Sequence, residues 1–168
     1  MKENWLKPDW QPGLSISSLP INHLLQIGIK SLVLDVDGTL LPRNELNVHS
    51  SVLIWIKEAQ HYFNLHLLSN NPSRERINFI SKTVEIAFTY KAAKPSRRAL
   101  QKVLIKLQNE PNQIAMIGDR LFTDIIAGNR LGLYTILVKP LASNGITCKH
   151  NRTQRFEQRI ASFFEATK

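Results

Sequence analysis

Two carboxylates stand directly after an apolar run in the segment LVLDVDGTLL, residues 32–41. Asp35 and Asp37 are two positions apart, and Gly38 follows them, so the chain is expected to turn where the acids are delivered. A carboxylate in this place can attack a phosphorus atom and form an aspartyl phosphate. A second carboxylate beside it can protonate the leaving oxygen and later activate water. The pair alone is weak evidence, because an isolated Asp-Gly is most often only a turn.

Two other segments carry groups that could act on the same phosphate. Ser69 and Asn70 follow another apolar run, and their hydroxyl and amide groups are donors for phosphoryl oxygens. Lys94, in the segment AAKPS, offers a positive charge that can neutralise both a phosphate and an attacking carboxylate. Ordinary interpretations stand beside these, because a lone Ser69 is typical of a helix cap and Lys91 competes with Lys94 for its role.

The segment GDRLFTD, residues 118–124, places two more carboxylates after a third apolar run. Asp119 and Asp124 would join Asp35 in an oxygen-rich pocket, and such a pocket suits Mg²⁺, a hard cation. Asp124 by itself is more typical of an acid near a helix N-terminus. A metal beside Lys94 would offset the repulsion between a phosphate dianion and an aspartate.

The pattern of apolar residues predicts the elements that position these groups. Apolar, β-branched runs predict strands at 31–36, 65–69, 84–88, 113–118 and 134–138. Between them, helical spacing predicts helices at 50–63, 73–82, 95–108 and 122–132. This alternation indicates an α/β fold, a doubly wound (Rossmann-like) parallel sheet of about five strands with helices on both faces. Ligands bind at the carboxyl ends of strands in such folds, where Asp35, Ser69 and Asp119 are expected.

Four motifs, DVDGTL, SNN, KP and GDRLFTD, in this order and at strand ends, resemble those of the haloacid-dehalogenase superfamily of phosphatases. The resemblance covers roughly residues 29–140. It implies that Asp35 is the nucleophile, that Asp37 is the general acid and base, and that Lys94 is the motif lysine. It also implies substrate-binding residues and Mg²⁺ ligands. Substrate binding is assigned to Ser69, Asn70 and Thr39, and the metal to Asp35, Asp37 through its main-chain carbonyl, Asp119 and, in support, Asp124.

The spacing of the motifs leaves no room for a cap domain. Between Asp35 and Ser69 lie 33 residues, and between Ser69 and Lys94 lie 24, enough only for single helices and a strand. We therefore expect an open site, which favours large or surface-bound substrates.

The whole chain resembles the YqeG-type branch (subfamily IIIA) of that superfamily, which is related to phosphatidylglycerophosphate phosphatases. The resembling pieces are LLQIGIKSLVLDVDGTLLP, SNNPSRERI and MIGDRLFTDIIAGNRLGLYTILVKPL. One departure is DGT, where that branch often has DNT. The resemblance implies removal of the terminal phosphate from phosphatidylglycerophosphate.

The charge distribution suggests an anionic partner. The net charge is +9, and residues 71–110 carry nine basic side chains against three acidic ones. These side chains can hold the protein near anionic phospholipid, or they can simply be solvated helix faces. No signature of an RNA-binding domain is visible, so nucleic acid is not an expected partner. The lone Cys148 fits a reducing compartment, no apolar run is long enough to span a membrane, and MKENWLKPDW lacks the apolar core of a signal peptide. We therefore expect a cytoplasmic protein, and a peripheral place on the inner face of a membrane is a further option.

Three parts of the chain are expected. Residues 1–20 form an N-terminal segment whose Trp5 and Trp10 suit a membrane interface, although both can equally pack on the domain. Residues 21–140 form the phosphatase domain, and residues 141–168 form a basic helical tail that we expect to cover the same domain rather than lie on a membrane.

Three functions remain open at this point. The first is a lipid phosphatase that acts on phosphatidylglycerophosphate. The second is a phosphatase of a soluble metabolite, nucleotide or phosphoprotein. The third is a basic, RNA-associated binding module that keeps the fold, although a pure binder would not need the acids together with Lys94.

Overall fold

A parallel sheet forms the centre of the molecule. The structure, a computed structural model, describes residues 4–142, 144–145, 156–157 and 159–160. Within them, five parallel strands lie in the order β3-β2-β1-β4-β5. Their bounds are β1 Ser31–Leu34, β2 Asn64–Leu68, β3 Phe88–Thr89, β4 Ile114–Gly118 and β5 Tyr134–Leu137. This order is that of a doubly wound sheet, so the α/β, Rossmann-like prediction is confirmed.

Helices cover both faces of the sheet. They are α1 Ile21–Gln26, α2 Ser50–Gln60, α3 Arg74–Val84, α4 Arg97–Leu107 and α5 Ile126–Asn129, with short 3₁₀ turns at Ile16–Ser18 and Pro111–Gln113. Along β1, Leu32 and Leu34 pack in one core with α1, α2 and α3, whereas Val33 packs in the other core with α4 and α5. Successive side chains of a strand point to opposite faces, which is why an unbroken apolar run is needed here.

Two predicted elements differ from the structure. The apolar run 84–88 is not a strand, because Val84 is the last residue of α3 and the edge strand is only Phe88–Thr89. Glu85 takes a left-handed conformation (φ 56°) and ends the helix, so the run is divided between two elements. The helix predicted at 122–132 is a π-helical turn, Leu121–Ile125, followed by the short α5.

The strand ends deliver the acidic residues as the sequence predicts. The run 31–36 was expected to be a strand throughout, but β1 ends at Leu34. The Asp35 N–H still donates to the Ile117 carbonyl at 2.9 Å, so the chain leaves the sheet only after Asp35. Gly38 then turns the chain with φ at 96°.

No cap domain covers this edge of the sheet. Residues 35–96 are all described, and between β1 and β2 they form α2, while between β2 and α4 they form α3 and β3. The stretches between the motifs therefore contain no cap domain, as the motif spacing predicts.

The N-terminal segment runs along the outer edge of β5. The Trp10 N–H donates to the Thr135 carbonyl at 3.1 Å, and the Trp10 carbonyl accepts from the Leu137 N–H at 3.0 Å. Ile16 is fully buried in the core, whereas Trp5 is 46% exposed. Trp10 therefore packs on the domain, while Trp5 keeps an exposed surface.

Part of the C-terminal tail is described. Residues 156–157 and 159–160 are helical, Phe156 is largely exposed, and the carboxylate of Glu157 is buried. Cys148 and most of the predicted helical tail, including residues 146–155 and 161–168, lie outside the described residues. Among the described residues, no helix is long and apolar enough to cross a membrane.

Candidate active site

Asp35 and Lys94 form a buried ion pair at the carboxyl edge of the sheet. The Lys94 ammonium donates to Asp35 Oδ1 at 2.6 Å and to the Leu68 carbonyl at 2.8 Å, and it lies 2.7 Å from Asp124 Oδ1. Burial alone would lower the pKa of Lys94, but the charges of Asp124 and Asp35 raise it above its ordinary value. Lys94 is therefore held charged between two carboxylates.

The neighbouring Lys91 does not share this place. Its side chain is exposed, whereas Lys94 is only 5% exposed and reaches Asp35. Asn70 fixes the backbone of Lys94, because its amide oxygen accepts from the Lys94 N–H at 2.7 Å and its amide nitrogen donates to the Lys94 carbonyl at 3.0 Å. The amide of Asn70, assigned to substrate, thus also positions the lysine.

Three buried carboxylates form what we call the acid cluster: Asp35, Asp119 and Asp124. One oxygen from each lies within 4.8 Å of the others, the one such group found among the described residues. Burial, together with Asp35 and Asp124, raises the pKa of Asp119 to about 8. Burial and Asp35 raise the pKa of Asp124 to about 6, although Lys94 opposes this. Buried carboxylate oxygens this close together are a donor set that fits a hard divalent cation.

Two glycines make room for this cluster. A Cβ at Gly38 would lie 2.5 Å from Asp119 Oδ2, and a Cβ at Gly118 would overlap the side chain of Asp124. The sequence explains Gly38 as a turn residue. In the structure it also allows the first motif to approach an acid of the last one.

The carboxylate of Asp37 lies apart from the acid cluster. Asp37 Oδ1 is 2.6 Å from the guanidinium of Arg76, and Oδ2 accepts from the Asn71 amide at 3.2 Å and from the Ser69 hydroxyl at 3.5 Å. A general acid belongs beside the group that holds the phosphate, and Ser69 is the residue predicted to do so, so this position is compatible with the acid–base role predicted for Asp37. The metal role predicted for Asp37 concerns its main-chain carbonyl, so this side-chain position leaves that role untouched.

Thr39 lies beneath the proposed nucleophile. It is fully buried, and its hydroxyl donates to Asp35 Oδ2 at 3.1 Å. This contact orients the carboxylate of Asp35, and it differs from the direct substrate contact that the sequence suggests for Thr39.

A cavity of about 350 Å³ opens over these groups. This volume lies in the usual range of small-molecule sites. The predicted residues that line it are Asp35, Asp37, Ser69, Asn70, Lys94 and Asp124, and the others are Arg43, Asn44, Asn71, Arg120 and Thr123.

Several residues of the site were not predicted. Asn71 is the last residue of the motif SNN, and Arg76 follows it in SNNPSRERI, so nearness to this motif is a signal that could have marked both as site residues. Glu157 had no such signal, yet its carboxylate accepts from the Arg120 guanidinium at 2.6 Å and from the Leu121 N–H at 2.9 Å. The tail thereby supports the π-helical turn that carries Asp124.

Comparisons with known proteins place the chain in a family. A family model described as "Mitochondrial PGP phosphatase" matches residues 10–142. The chain is 34% identical to "Probable phosphatase YqeG" of Bacillus subtilis over 141 residues, covering 83% of this chain and 80% of that protein. It is 33% identical to the mitochondrial phosphatidylglycerophosphatase GEP4 of Saccharomyces cerevisiae over 58 residues, which is 34% of this chain and 29% of that one.

A solved structure shares the fold. The cobalt-bound deoxy-D-mannose-octulosonate 8-phosphate phosphatase YrbI of Haemophilus influenzae has a TM-score of 0.55 at 15% identity. The match covers 83% of this chain and 88% of that one. Motifs, sheet order and family match agree: the chain belongs to the PGP phosphatase family and is a phosphatase of the haloacid-dehalogenase superfamily.

Proposed function

We propose that this phosphatase removes the terminal phosphate from phosphatidylglycerophosphate and that it requires Mg²⁺. The observation that carries the chemistry is the buried Asp35–Lys94 pair at the floor of an open cavity. The match to the PGP phosphatase family supports the choice of substrate. Because the family assignment makes the chain a phosphatase, the binding-module alternative is dropped.

The reaction has two steps, in which Asp35 is the nucleophile and Asp37 is first the general acid and then the general base. In the first step an oxygen of Asp35 attacks phosphorus, the bond to the leaving oxygen breaks, and Asp37 gives that oxygen its proton. In the second step Asp37 takes a proton from water, whose oxygen attacks phosphorus, and inorganic phosphate leaves as the Asp35 carboxylate is restored. Thr39 orients Asp35 throughout, and Lys94 keeps positive charge beside both the nucleophile and the phosphoryl group.

The acid cluster and the main-chain carbonyl of Asp37 would hold Mg²⁺. The pKa of Asp119 is raised to about 8, which indicates that nearby positive charge does not neutralise these carboxylates. A divalent cation would supply that charge, so the donors fit such a cation. A bound Mg²⁺ would supply charge neutralisation for the phosphoryl oxygens.

A membrane surface is the proposed setting of the reaction. On α4, the exposed side chains include Arg97, Arg98, Lys102 and Lys106, and Ile105 beside them is 76% exposed. A basic face with a protruding apolar residue suits an anionic lipid surface. Flotation with anionic vesicles is the measurement, and a K102Q/K106Q variant should float less than the wild type; equal flotation would contradict this face.

The substrate class is tested by comparing the hydrolysis of a lipid phosphate with that of soluble phosphates. Purified protein with Mg²⁺ is assayed on phosphatidylglycerophosphate in mixed micelles and on soluble sugar phosphates, nucleotides and phosphopeptides. We expect kcat/KM for the lipid to exceed that for every soluble substrate by about tenfold or more. A soluble compound that is hydrolysed as well as the lipid would overturn the lipid assignment and leave the phosphatase chemistry in place.

A further inference from the structure

The cations that line the cavity differ in whether a carboxylate already engages them. Lys94 is held between two carboxylates, and the guanidinium of Arg120 binds Glu157. Arg43 lines the same cavity, has an exposed side chain, and forms no ion pair with any residue that the structure describes. Its charge is therefore available to an anionic ligand that enters the cavity.

The backbone on both sides of Arg43 is anchored. Residues 42–46 form what we call the mouth loop. Arg76 Nη2 donates to the Glu45 carbonyl at 2.8 Å and reaches the Pro42 carbonyl at 3.5 Å. The same guanidinium binds the carboxylate of Asp37. Arg76 thus ties the mouth loop to the reaction centre, which lowers the entropy that Arg43 loses when it binds a ligand.

A single phosphate group does not account for all of this cavity. A phosphate at Asp35 would lie beside Lys94, which contacts Asp35, whereas Arg43 lines the same cavity from the mouth loop and has no side-chain hydrogen bond to Lys94 or Ser69. A guanidinium binds phosphate oxygens in a bidentate way, and it is more weakly hydrated than an ammonium. Arg43 acts on Asp119 only through longer-range charge and forms no ion pair with a described residue, so its guanidinium is suited to a second phosphate.

We propose that Arg43 forms a second anion subsite, which binds a phosphodiester or second phosphate group of a substrate whose terminal phosphomonoester lies at Asp35. This deepens the proposed function and rests on it. The substrate class is thereby narrowed to phosphomonoesters that carry another anionic group a few bonds away, and a glycerol phosphate with one phosphate leaves the subsite empty.

The test compares two alkyl phosphates with the same kind of leaving group. Glycerol 3-phosphate has one phosphate, whereas the deacylated headgroup of phosphatidylglycerophosphate is soluble and has a phosphomonoester and a phosphodiester. In the Arg43→Gln variant, we expect kcat/KM for the two-phosphate headgroup to fall by about tenfold, mainly through KM. For glycerol 3-phosphate the expected fall is about threefold or less.

The matched control is Arg74→Gln, which removes the same charge from the exposed first residue of α3, outside the cavity. This variant should keep the wild-type ratio between the two substrates. A fall of equal size for both substrates in Arg43→Gln, or no fall for either, would overturn the subsite. Phosphatidylglycerophosphate in micelles is assayed as a third substrate. If kcat/KM of Arg43→Gln falls for this substrate alone, Arg43 binds the lipid surface instead of the headgroup, and the proposal is overturned.

A binding measurement keeps the subsite testable if the proposed function fails. Calorimetric titration of the soluble two-phosphate headgroup is carried out with Mg²⁺ on the Asp35→Asn protein and on the Asp35→Asn/Arg43→Gln protein. We expect the second protein to bind about tenfold more weakly. Equal affinities would overturn the subsite. If the wild-type enzyme does not hydrolyse phosphatidylglycerophosphate, that result counts against the proposed function and not against the subsite.

Discussion

Buried polar groups occupy two parts of the sheet, and the two parts are built differently. At the carboxyl edge, the acid cluster holds more carboxylates than Lys94 can neutralise, and the pKa of Asp119 rises to about 8. Between β2 and β3, His66 is just as deeply buried, but its Nε2 shares a hydrogen bond of 2.9 Å with the Thr89 hydroxyl. Burial, together with the charge of Lys106, lowers the pKa of His66 to about 4, so this pair stays neutral.

The comparison shows which buried polar groups a protein core tolerates and which ones are retained only at a functional site. A neutral, hydrogen-bonded pair is compatible with a core at little cost. Buried carboxylates that repel one another oppose folding, and such groups persist at sites where chemistry or a metal needs them. Substitutions in and around the acid cluster should therefore affect activity, whereas a substitution at His66 should affect only stability.

Among the substitutions that change both activity and stability, the largest expected effect is at Lys94. In Lys94→Met, the carboxylates of Asp35 and Asp124 lose the ammonium that lies between them. We expect activity to fall about a thousandfold and the free energy of unfolding to fall by about 3–5 kcal/mol. Denaturant titration and an aryl phosphate assay with Mg²⁺ measure the two losses.

Lys91→Met is the matched control, because Lys91 is exposed and only three residues away. Its activity and stability should stay near those of the wild type. If Lys91→Met were the more damaging change, the assignment of the motif lysine to Lys94 would be wrong.

A smaller effect, with opposite signs for stability and activity, is expected at Asp119. A carboxyl whose folded pKa is raised destabilises the fold as the pH rises above its unfolded pKa, so at neutral pH Asp119→Asn relieves this cost. Without metal, we expect the free energy of unfolding to rise by about 1–3 kcal/mol. With Mg²⁺, activity should fall about a hundredfold.

Thermal unfolding with Mg²⁺ and with a chelator distinguishes the metal from simple repulsion. Mg²⁺ should raise the unfolding temperature of the wild type and should have little effect on Asp119→Asn. An equal rise in both proteins would contradict a metal site in the acid cluster.

The smallest effect is expected at His66 and concerns stability alone. Its folded pKa, about 4, lies below the unfolded value of about 6.5, so the unfolded chain takes up the proton first as the pH falls. The stability that the neutral, buried His66 contributes is therefore fully present above the unfolded pKa and is lost as the pH falls toward 4. Between pH 7 and pH 5 we expect it to remove about 2 kcal/mol from the free energy of unfolding. His66→Gln should lack this part of the pH dependence, and an identical pH profile would show that His66 is not buried as a neutral group.

Much of the fold follows from the sequence because most strands are buried on both faces. β1 and β4 are apolar at nearly every position, and β2 and β5 are mainly apolar, so these runs are visible without knowledge of the partner strands. The edge strand β3 was misplaced because its two residues are defined by pairing with Leu67 and Leu68, which no local pattern records. The π-helical turn was missed since its spacing differs little from that of an α-helix.

The site divides in the same way. Asp35, Ser69 and Asp119 could be predicted to meet, because parallel strands bring their carboxyl ends to one edge. The contact of Arg76 with Asp37 and the mouth loop could not be predicted, since it depends on how two loops pack across that edge. Glu157 lies even farther away along the chain, and its contact with Arg120 is purely tertiary.

Phosphate release by Asp35→Asn tests the central claim most directly. Purified wild type and variant are assayed with Mg²⁺ on p-nitrophenyl phosphate, whose good leaving group makes the first step depend on the nucleophile. Asp9→Asn, which changes an acid at the edge of β5, serves as the matched control and should remain active. We expect Asp35→Asn to lose activity by a factor on the order of 10⁴. Retained turnover in Asp35→Asn would contradict covalent catalysis by this residue.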